Sequence, residues 1–218
     1  WTHPDYGEVS PSDFIAAAER IGVIKQLTES IVLASCRQAV AWKEAGFTNL
    51  RMGVNISPSY FRDKEIVSFI SRTLEETGMD PTALELEITE SLVQIDQQNL
   101  SIIQQLDDLG VNLAIDDFGT GYSSFASLKH LKTSRLKIDK YFIDDMLSDE
   151  QVRLLLASMI EMGHNLGQEI VAEGIESAEQ VEILKGLGCD VLQGNLFSPP
   201  NEADAVFKEL GKKHLPLN

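Results

Sequence analysis

The sequence predicts an α/β fold around a parallel sheet, on three observations. Short apolar runs alternate with longer segments of helical period, the pattern of repeated βα units. Glycines stand directly after four of the helical segments and just before the next strand, where a helix C-terminus wants a residue free to take positive φ. No Asn-Gly hairpin turn joins the strand candidates, and every interval between them is long enough for a helical crossover, so the strands should be parallel with right-handed connections.

The elements follow in order. A first helix over 12–21 starts after Pro11 and places Phe14, Ile15, Ala18 and Ile21 on one face, until Gly22 breaks it. Ile24, Leu27, Ile31 and Ala34 carry the 3,4,3 spacing of a second helix that runs until Gly46. Further helices are expected over 63–77, 97–109, 150–166, 177–187 and 202–213, with Gly78, Gly110, Gly167 and Gly188 as stops. Strands are expected at 51–57, 84–89, 111–117, 135–139, 169–173 and 190–194. An open doubly wound sheet and a closed (β/α)8 barrel both accommodate six strands, and a barrel needs two more than these.

Composition narrows the function. The 218 residues are 43% hydrophobic with seven prolines and no low-complexity tract, enough for one packed domain over 1–218. With 34 acidic residues against 18 Lys plus Arg, the net charge of −16 would repel a duplex nucleic acid. No apolar run approaches the ~18–20 residues of a bilayer span, and no secretory leader opens the sequence. Cys36 lies in a helical pattern and Cys189 at the start of a strand-like run, so a disulfide framework is not expected and a reducing, cytoplasmic compartment is.

The informative regularity is where polar residues interrupt the strands. Each apolar run carries, at or near its C-terminal end, a residue a buried strand should not tolerate: Asn55, Glu87, Asp116 with Asp117, Lys137, Glu173 and Gln193. In a barrel those ends converge on one mouth, where catalytic groups of that architecture sit. Several carboxylates around one mouth need compensating positive charge. Oxygen donors with no His or Cys beside them point to hard cations, Mg²⁺ or Mn²⁺, rather than zinc. Neighbours on a regular strand point to opposite sides, so Asp116 and Asp117 can share a centre only where the backbone turns, which Gly119 and Gly121 are expected to allow. Two metals would suit a phosphodiester displacement, with Lys137 beside the water or the phosphoryl charge. Glu90 and Glu176 follow rim acids by three residues, and each either belongs to the site or caps the next helix.

The motifs WTHPDYGEVSPSDFIAAAE, VNIS, LELEITES, AIDDFGTGYSSFASL, LKIDK, VAEGIES and LQGNLFSPP, in this order, resemble the EAL-domain family of cyclic di-GMP phosphodiesterases over nearly the whole sequence. The resemblance implies a (β/α)8 TIM-type barrel with an antiparallel first strand, six parallel strands of which are visible here, and hydrolysis of cyclic di-GMP to linear pGpG with Mg²⁺ or Mn²⁺. It assigns Asn55, Glu87, Asp116, Asp117 and Glu173 to the metals, and Lys137, Glu173 and Asp117 to catalysis. Gln193, Asn55 and Pro11 would contact substrate, while Glu90, Glu176, Gly119 and Gly121 would position the loop that follows Asp117.

Departures from the family pattern bear on the outcome. The Glu-Ala-Leu signature, with its metal-binding glutamate and phosphate-contacting arginine, would lie immediately before Trp1, within the strand pair that the count of six leaves missing. Asn195 stands where the family usually has tyrosine and Pro199 where it usually has a basic residue, both at the rim. The alternative function is an inert cyclic di-GMP receptor of the same fold. A Schiff-base lyase using Lys137 would want an apolar surround, which Asp139 and the nearby acids deny it. The resemblance further implies an upstream sensory or GGDEF-type domain, a cytoplasmic location even if tethered to a membrane, and a homodimer. Phe125 and Leu128 would share one face of a short helix there, and either pair with a second copy or pack on the barrel.

Overall fold

A computed structural model describes residues 2–5, 7–93, 97–121 and 131–213. A small antiparallel hairpin, β1 (Thr2–His3) with β2 (Gly7–Glu8), leads into α1 (Pro11–Arg20) and α2 (Ile24–Glu44). There follow β3 (Met52–Asn55), α3 (Pro58–Phe61), α4 (Glu65–Thr77), β4 (Leu84–Thr89), α5 (Gln97–Asp108) and β5 (Asn112–Phe118). After residue 130 come β6 (Arg135–Ile138), α6 (Lys140–Asp145), α7 (Glu150–Asn165), β7 (Glu169–Ala172), α8 (Ala178–Gly186), β8 (Val191–Leu192) and α9 (Ala203–Lys213). Strands β3 to β8 form one six-stranded sheet in sequence order, every neighbouring pair parallel.

Local chemistry explains the boundaries. Ser10 caps α1, its side chain accepting from the Asp13 N–H, with Pro11 at the first helical position, where its missing donor costs nothing. Asp149 caps α7 in the same way, and Ser177 with Gln180 forms a reciprocal capping box on α8. Gly78 ends α4 in the left-handed region at φ 69°. Three features differ from the expected elements. The helix expected over 63–77 is α4, but a separate short helix, Pro58–Phe61, capped by Ser57, precedes it where none was expected. Helix α6 is too brief to give a periodic signal. The last strand is two residues long rather than five: past it the Gln193 N–H donates to the Ala172 carbonyl and the Gln193 carbonyl accepts from the Ile175 N–H, and the backbone then turns, with the Gly194 carbonyl accepting from the Phe197 N–H.

The sheet curls into a half-barrel. In β4, Leu84, Leu86 and Ile88 are fully buried toward the helices, while Glu85 and Glu87 alternate onto the concave face. One core lies between β3–β5 and helices α2, α4 and α5, with Val32, Phe61, Ile70, Leu86 and Leu106 at its centre. A second lies behind β5–β8, around Ile115, Ile138, Leu156, Ile160 and Leu184. At the floor, Arg51 and Arg135 each bridge both Glu85 and Glu169, at 3.1 and 3.5 Å for Arg51 and 3.2 and 2.5 Å for Arg135. Those contacts join the start of β3 to β7 across the concave face. Phe207 of α9 also meets Phe47 edge to face, with ring centroids 5.5 Å apart. Among the described residues β3 pairs with β4 alone, so its other side is open. Next to it α1 and α2 leave an apolar groove lined by Phe14, Ala17, Ile21, Val23, Leu27 and Ile31. Cys36 and Cys189 are both free thiols, as the sequence leads one to expect.

Candidate active site

The C-terminal ends of β4, β5, β6 and β7 bring four charged side chains together. Lys137 on β6 is buried, and its Nζ lies 2.6 Å from Glu87 Oε2, 2.7 Å from Glu173 Oε1 and 3.2 Å from Asp116 Oδ1. Glu87 comes from β4 and Asp116 from β5, while Glu173 stands one residue beyond β7, its N–H donating to the Ile138 carbonyl. Burial pushes the carboxyls of Glu87 and Glu173 above their ordinary range, against the opposing pull of Lys137. Burial alone would lower the Lys137 pKa, but Glu87, Glu173 and Asp116 outweigh it and the ammonium is held charged.

Asp116 and Asp117 reach the same side through a bulge. Ile115 pairs with Leu136 and Phe118 with Ile138, so two residues of β5 oppose Lys137 alone. Asp117 takes φ 55°, a left-handed conformation that aspartate tolerates better than most side chains. The backbone turn thus sits at Asp117 itself, inside the strand, rather than at Gly119 and Gly121 as the sequence suggests. Burial, with Asp116 and Asp139 nearby, raises the Asp117 pKa. Asp139 is a further neighbour of Asp117 that does not stand among the polar strand-end residues of the sequence. Its Oδ1 also accepts from the Tyr141 N–H to cap α6, and its place two residues after Lys137 was the available signal.

The loop beyond the bulge is tied to Glu90, whose Oε2 accepts from the N–H of Gly119 at 3.0 Å and of Gly121 at 3.1 Å. A Cβ on Gly119, at φ 97°, would lie 2.6 Å from the Phe142 ring and 2.8 Å from the Met159 methyl, so the loop packs against α6 and α7 without room for a side chain. Glu90 starts a 3₁₀ turn, Glu90–Val93. Glu176 is not the cap of α8; it pairs with Lys140, half-exposed, while its N–H donates to Gln180. Asn55 ends β3 on the open side, exposed, next to Glu87 in the ladder. Gln193 is exposed just past β8, where a Cβ on Gly194 would sit 2.2 Å from the Ile175 backbone. Pro11 is exposed at the start of α1. No described hydrogen bond or ion pair joins the side chains of Gln193 or Glu176 to the Lys137 cluster. Phe125 and Leu128 lie outside the described residues.

The donors suit a hard cation. All are oxygens, and Asp116 Oδ1 is buried without a hydrogen-bond partner although Lys137 is close. Among the described residues, however, no three His, Cys, Asp or Glu side chains are gathered as a ready metal cage. The Lys137 ammonium stands between the acids instead.

Comparison with known proteins gives the family. The model of the EAL domain matches residues 1–200. The chain belongs to the EAL-domain family. It is 38% identical over 208 residues to the bifunctional diguanylate cyclase/cyclic di-GMP phosphodiesterase MucR of Pseudomonas aeruginosa, covering 95% of this chain and 30% of that protein. It is 35% identical over 216 residues to the cyclic di-GMP phosphodiesterase PdeR of Escherichia coli, covering 99% of this chain and 32% of that one. The chain thus spans about a third of the length of these curated relatives. Among solved structures, a MucR phosphodiesterase in complex with c-di-GMP superposes with a TM-score of 0.91 at 38% identity, covering 94% of this chain and 84% of that one. The EAL domain of Mycobacterium smegmatis DcpA gives a TM-score of 0.80 at 31% identity, covering 85% and 84%. The half-barrel of this EAL domain is therefore the six-parallel-strand part of a TIM-type architecture.

Proposed function

We propose that this EAL domain hydrolyses cyclic di-GMP to linear pGpG, and that the acids around Lys137 are its catalytic centre. The observation that carries the reading is the convergence of Glu87, Asp116 and Glu173 on Lys137, with Asp117 beside them on a bulge, at the C-terminal mouth of an EAL-family sheet. In the reaction a water oxygen bonds to phosphorus, the P–O3′ bond breaks and the 3′ oxygen takes a proton. Asn55, Glu87, Asp116, Asp117 and Glu173 would hold Mg²⁺ or Mn²⁺, which when bound supplies Lewis-acid charge at the phosphoryl oxygens and makes water more acidic. Glu173 would orient the water, and Lys137 would bring positive charge to the phosphoryl group. Glu90 would hold the loop that follows the paired aspartates, through Gly119 and Gly121, with Glu176 on the neighbouring rim. Gln193, Asn55 and Pro11 are the proposed substrate contacts.

The open edge of β3 and the apolar groove on α1 and α2 would be covered by an antiparallel strand pair of a longer polypeptide, with a sensory or GGDEF-type domain beyond it and a cytoplasmic location. No described helix is long and apolar enough to cross a membrane. Pairing with a second copy through the segment around Phe125 completes the reading. Incubation of the protein with cyclic di-GMP and Mg²⁺ or Mn²⁺, followed by chromatography for pGpG, tests it. Turnover that is abolished by Asp116→Ala, with the fold retained, is the expected result. Tight binding of cyclic di-GMP without turnover under either metal would assign the receptor role instead.

A further inference from the structure

Resting on that metal-site reading, we propose that Lys137 is the resident cation of the acid cluster and that a divalent cation must take Glu87, Asp116 and Glu173 from it in order to bind. An ammonium has three donors, and Lys137 faces three carboxylates, each from a different strand end. Its side chain is 5% exposed, so water does not share the task. The two close contacts, to Glu87 and Glu173, are hydrogen-bond distances. Asp116 Oδ1 is near enough for charge attraction but receives no hydrogen bond, and it is buried. That oxygen is the acceptor that the ammonium leaves unused, and so the first handle for a competing cation.

The arrangement of the acids follows from this. Among the described residues they form no group able to hold a metal, although oxygen donors of the right kind are all present. Their oxygens are turned toward Nζ. Like charges this close would raise one another's pKa and push the cluster apart if nothing lay between them. A lysine suits the role better than an arginine would, because its ammonium is a compact point charge on a flexible stem and can leave the acids without moving the strand. One buried side chain would then neutralise the acids before metal binding and stand next to the reacting phosphate afterwards. Metal affinity in this domain is accordingly the affinity for an exchange of cations, weaker than the same carboxylates would show with Lys137 removed.

Mn²⁺ titration of the purified protein, followed by calorimetry or by the loss of the free-ion spin resonance signal, tests the exchange. Lys137→Met and Lys137→Gln should each bind Mn²⁺ about tenfold tighter than the parent, the change expected when a competing unit charge is withdrawn from a partly screened site. Both should melt at a lower temperature than the parent in chelator and gain more on Mn²⁺ addition. A Lys137→Met protein that folds only with Mn²⁺ present would support the proposal in the same way. Affinity equal to or weaker than the parent in both variants, beside a loss of binding in Asp116→Asn, would overturn the exchange and leave the metal site standing. Parental Mn²⁺ affinity in Asp116→Asn would overturn the metal-site reading, and the exchange with it.

Discussion

Replacing Glu90 by alanine should disable the site without touching any residue of the acid cluster. The side chain is buried and its Oε2 receives two backbone N–H groups, from Gly119 at 3.0 Å and Gly121 at 3.1 Å. Hydrogen bonds to a charged acceptor contribute roughly 1.5–3 kcal/mol each. Both donors belong to exposed glycines, so water can replace part of what is lost, and the pair should cost about 2 kcal/mol net. For a domain of this size that lowers the melting temperature by about 4–8 °C. The catalytic loss should be larger than the stability loss, because these two bonds fix the chain directly after the Asp117 bulge. A displacement of about 1 Å in a reacting group can cost on the order of 10²-fold in rate. Glu90→Gln is the informative partner: both bonds fall on one oxygen, which an amide can still offer, so it should keep most of the turnover. Differential scanning fluorimetry and a pGpG turnover assay read the two effects. Glu90→Ala with turnover within about twofold of the parent would refute the claim that this carboxylate positions the loop.

Gly119→Ala should destabilise by about 3 kcal/mol or more, combining positive-φ strain with overlap onto Phe142 and Met159, and thermal unfolding will show it. Asp190 yields a pH prediction: burial acts to raise its pKa, but the Ile170 N–H and His164 hold it below the ordinary 3.8. Its contribution is therefore present above that value and lost as the pH falls through the lower folded value, so Asp190→Asn should flatten the acid limb of a melting-temperature profile. Sedimentation across a concentration series should show a dimer that Phe125→Ser weakens; a monomer throughout, with dilution-independent turnover, would remove dimerisation from the reading.

The sequence carries the sheet plainly where burial alternates. Strand β4 is legible to the residue because Leu84, Leu86 and Ile88 need the helix side while Glu85 and Glu87 cannot go there. The same alternation misleads at Asp116 and Asp117: a bulge is a disagreement in count between two strands, and neither strand records it alone. Helix α6 escaped because six residues make less than two turns, too few for an apolar stripe to repeat. The direction of each acid at the mouth could be read, but its partner could not. Lys137 is 50 residues from Glu87, and only the curl of the sheet sets them face to face. Asn55, Gln193 and Pro11 are visible as residues out of place on a strand end or at a helix start, yet each stands on a solvent-facing side, where spacing alone says nothing of what it meets.

The four charges at the floor, Arg51, Glu85, Arg135 and Glu169, form a closed circuit in which every member has two partners. Loss of any one contact leaves a continuous path through the other three, so damage there is graded rather than abrupt. Glu85 is the exception in kind, since its side chain is 4% exposed and cannot turn to water when a partner is removed. Substitution of either arginine should therefore be partly absorbed by the other, whereas removal of both would strand a buried anion beneath the mouth that already concentrates negative charge. Tolerance of change at the bottom of this half-barrel rests on redundancy of cations, and it is spent after the first substitution.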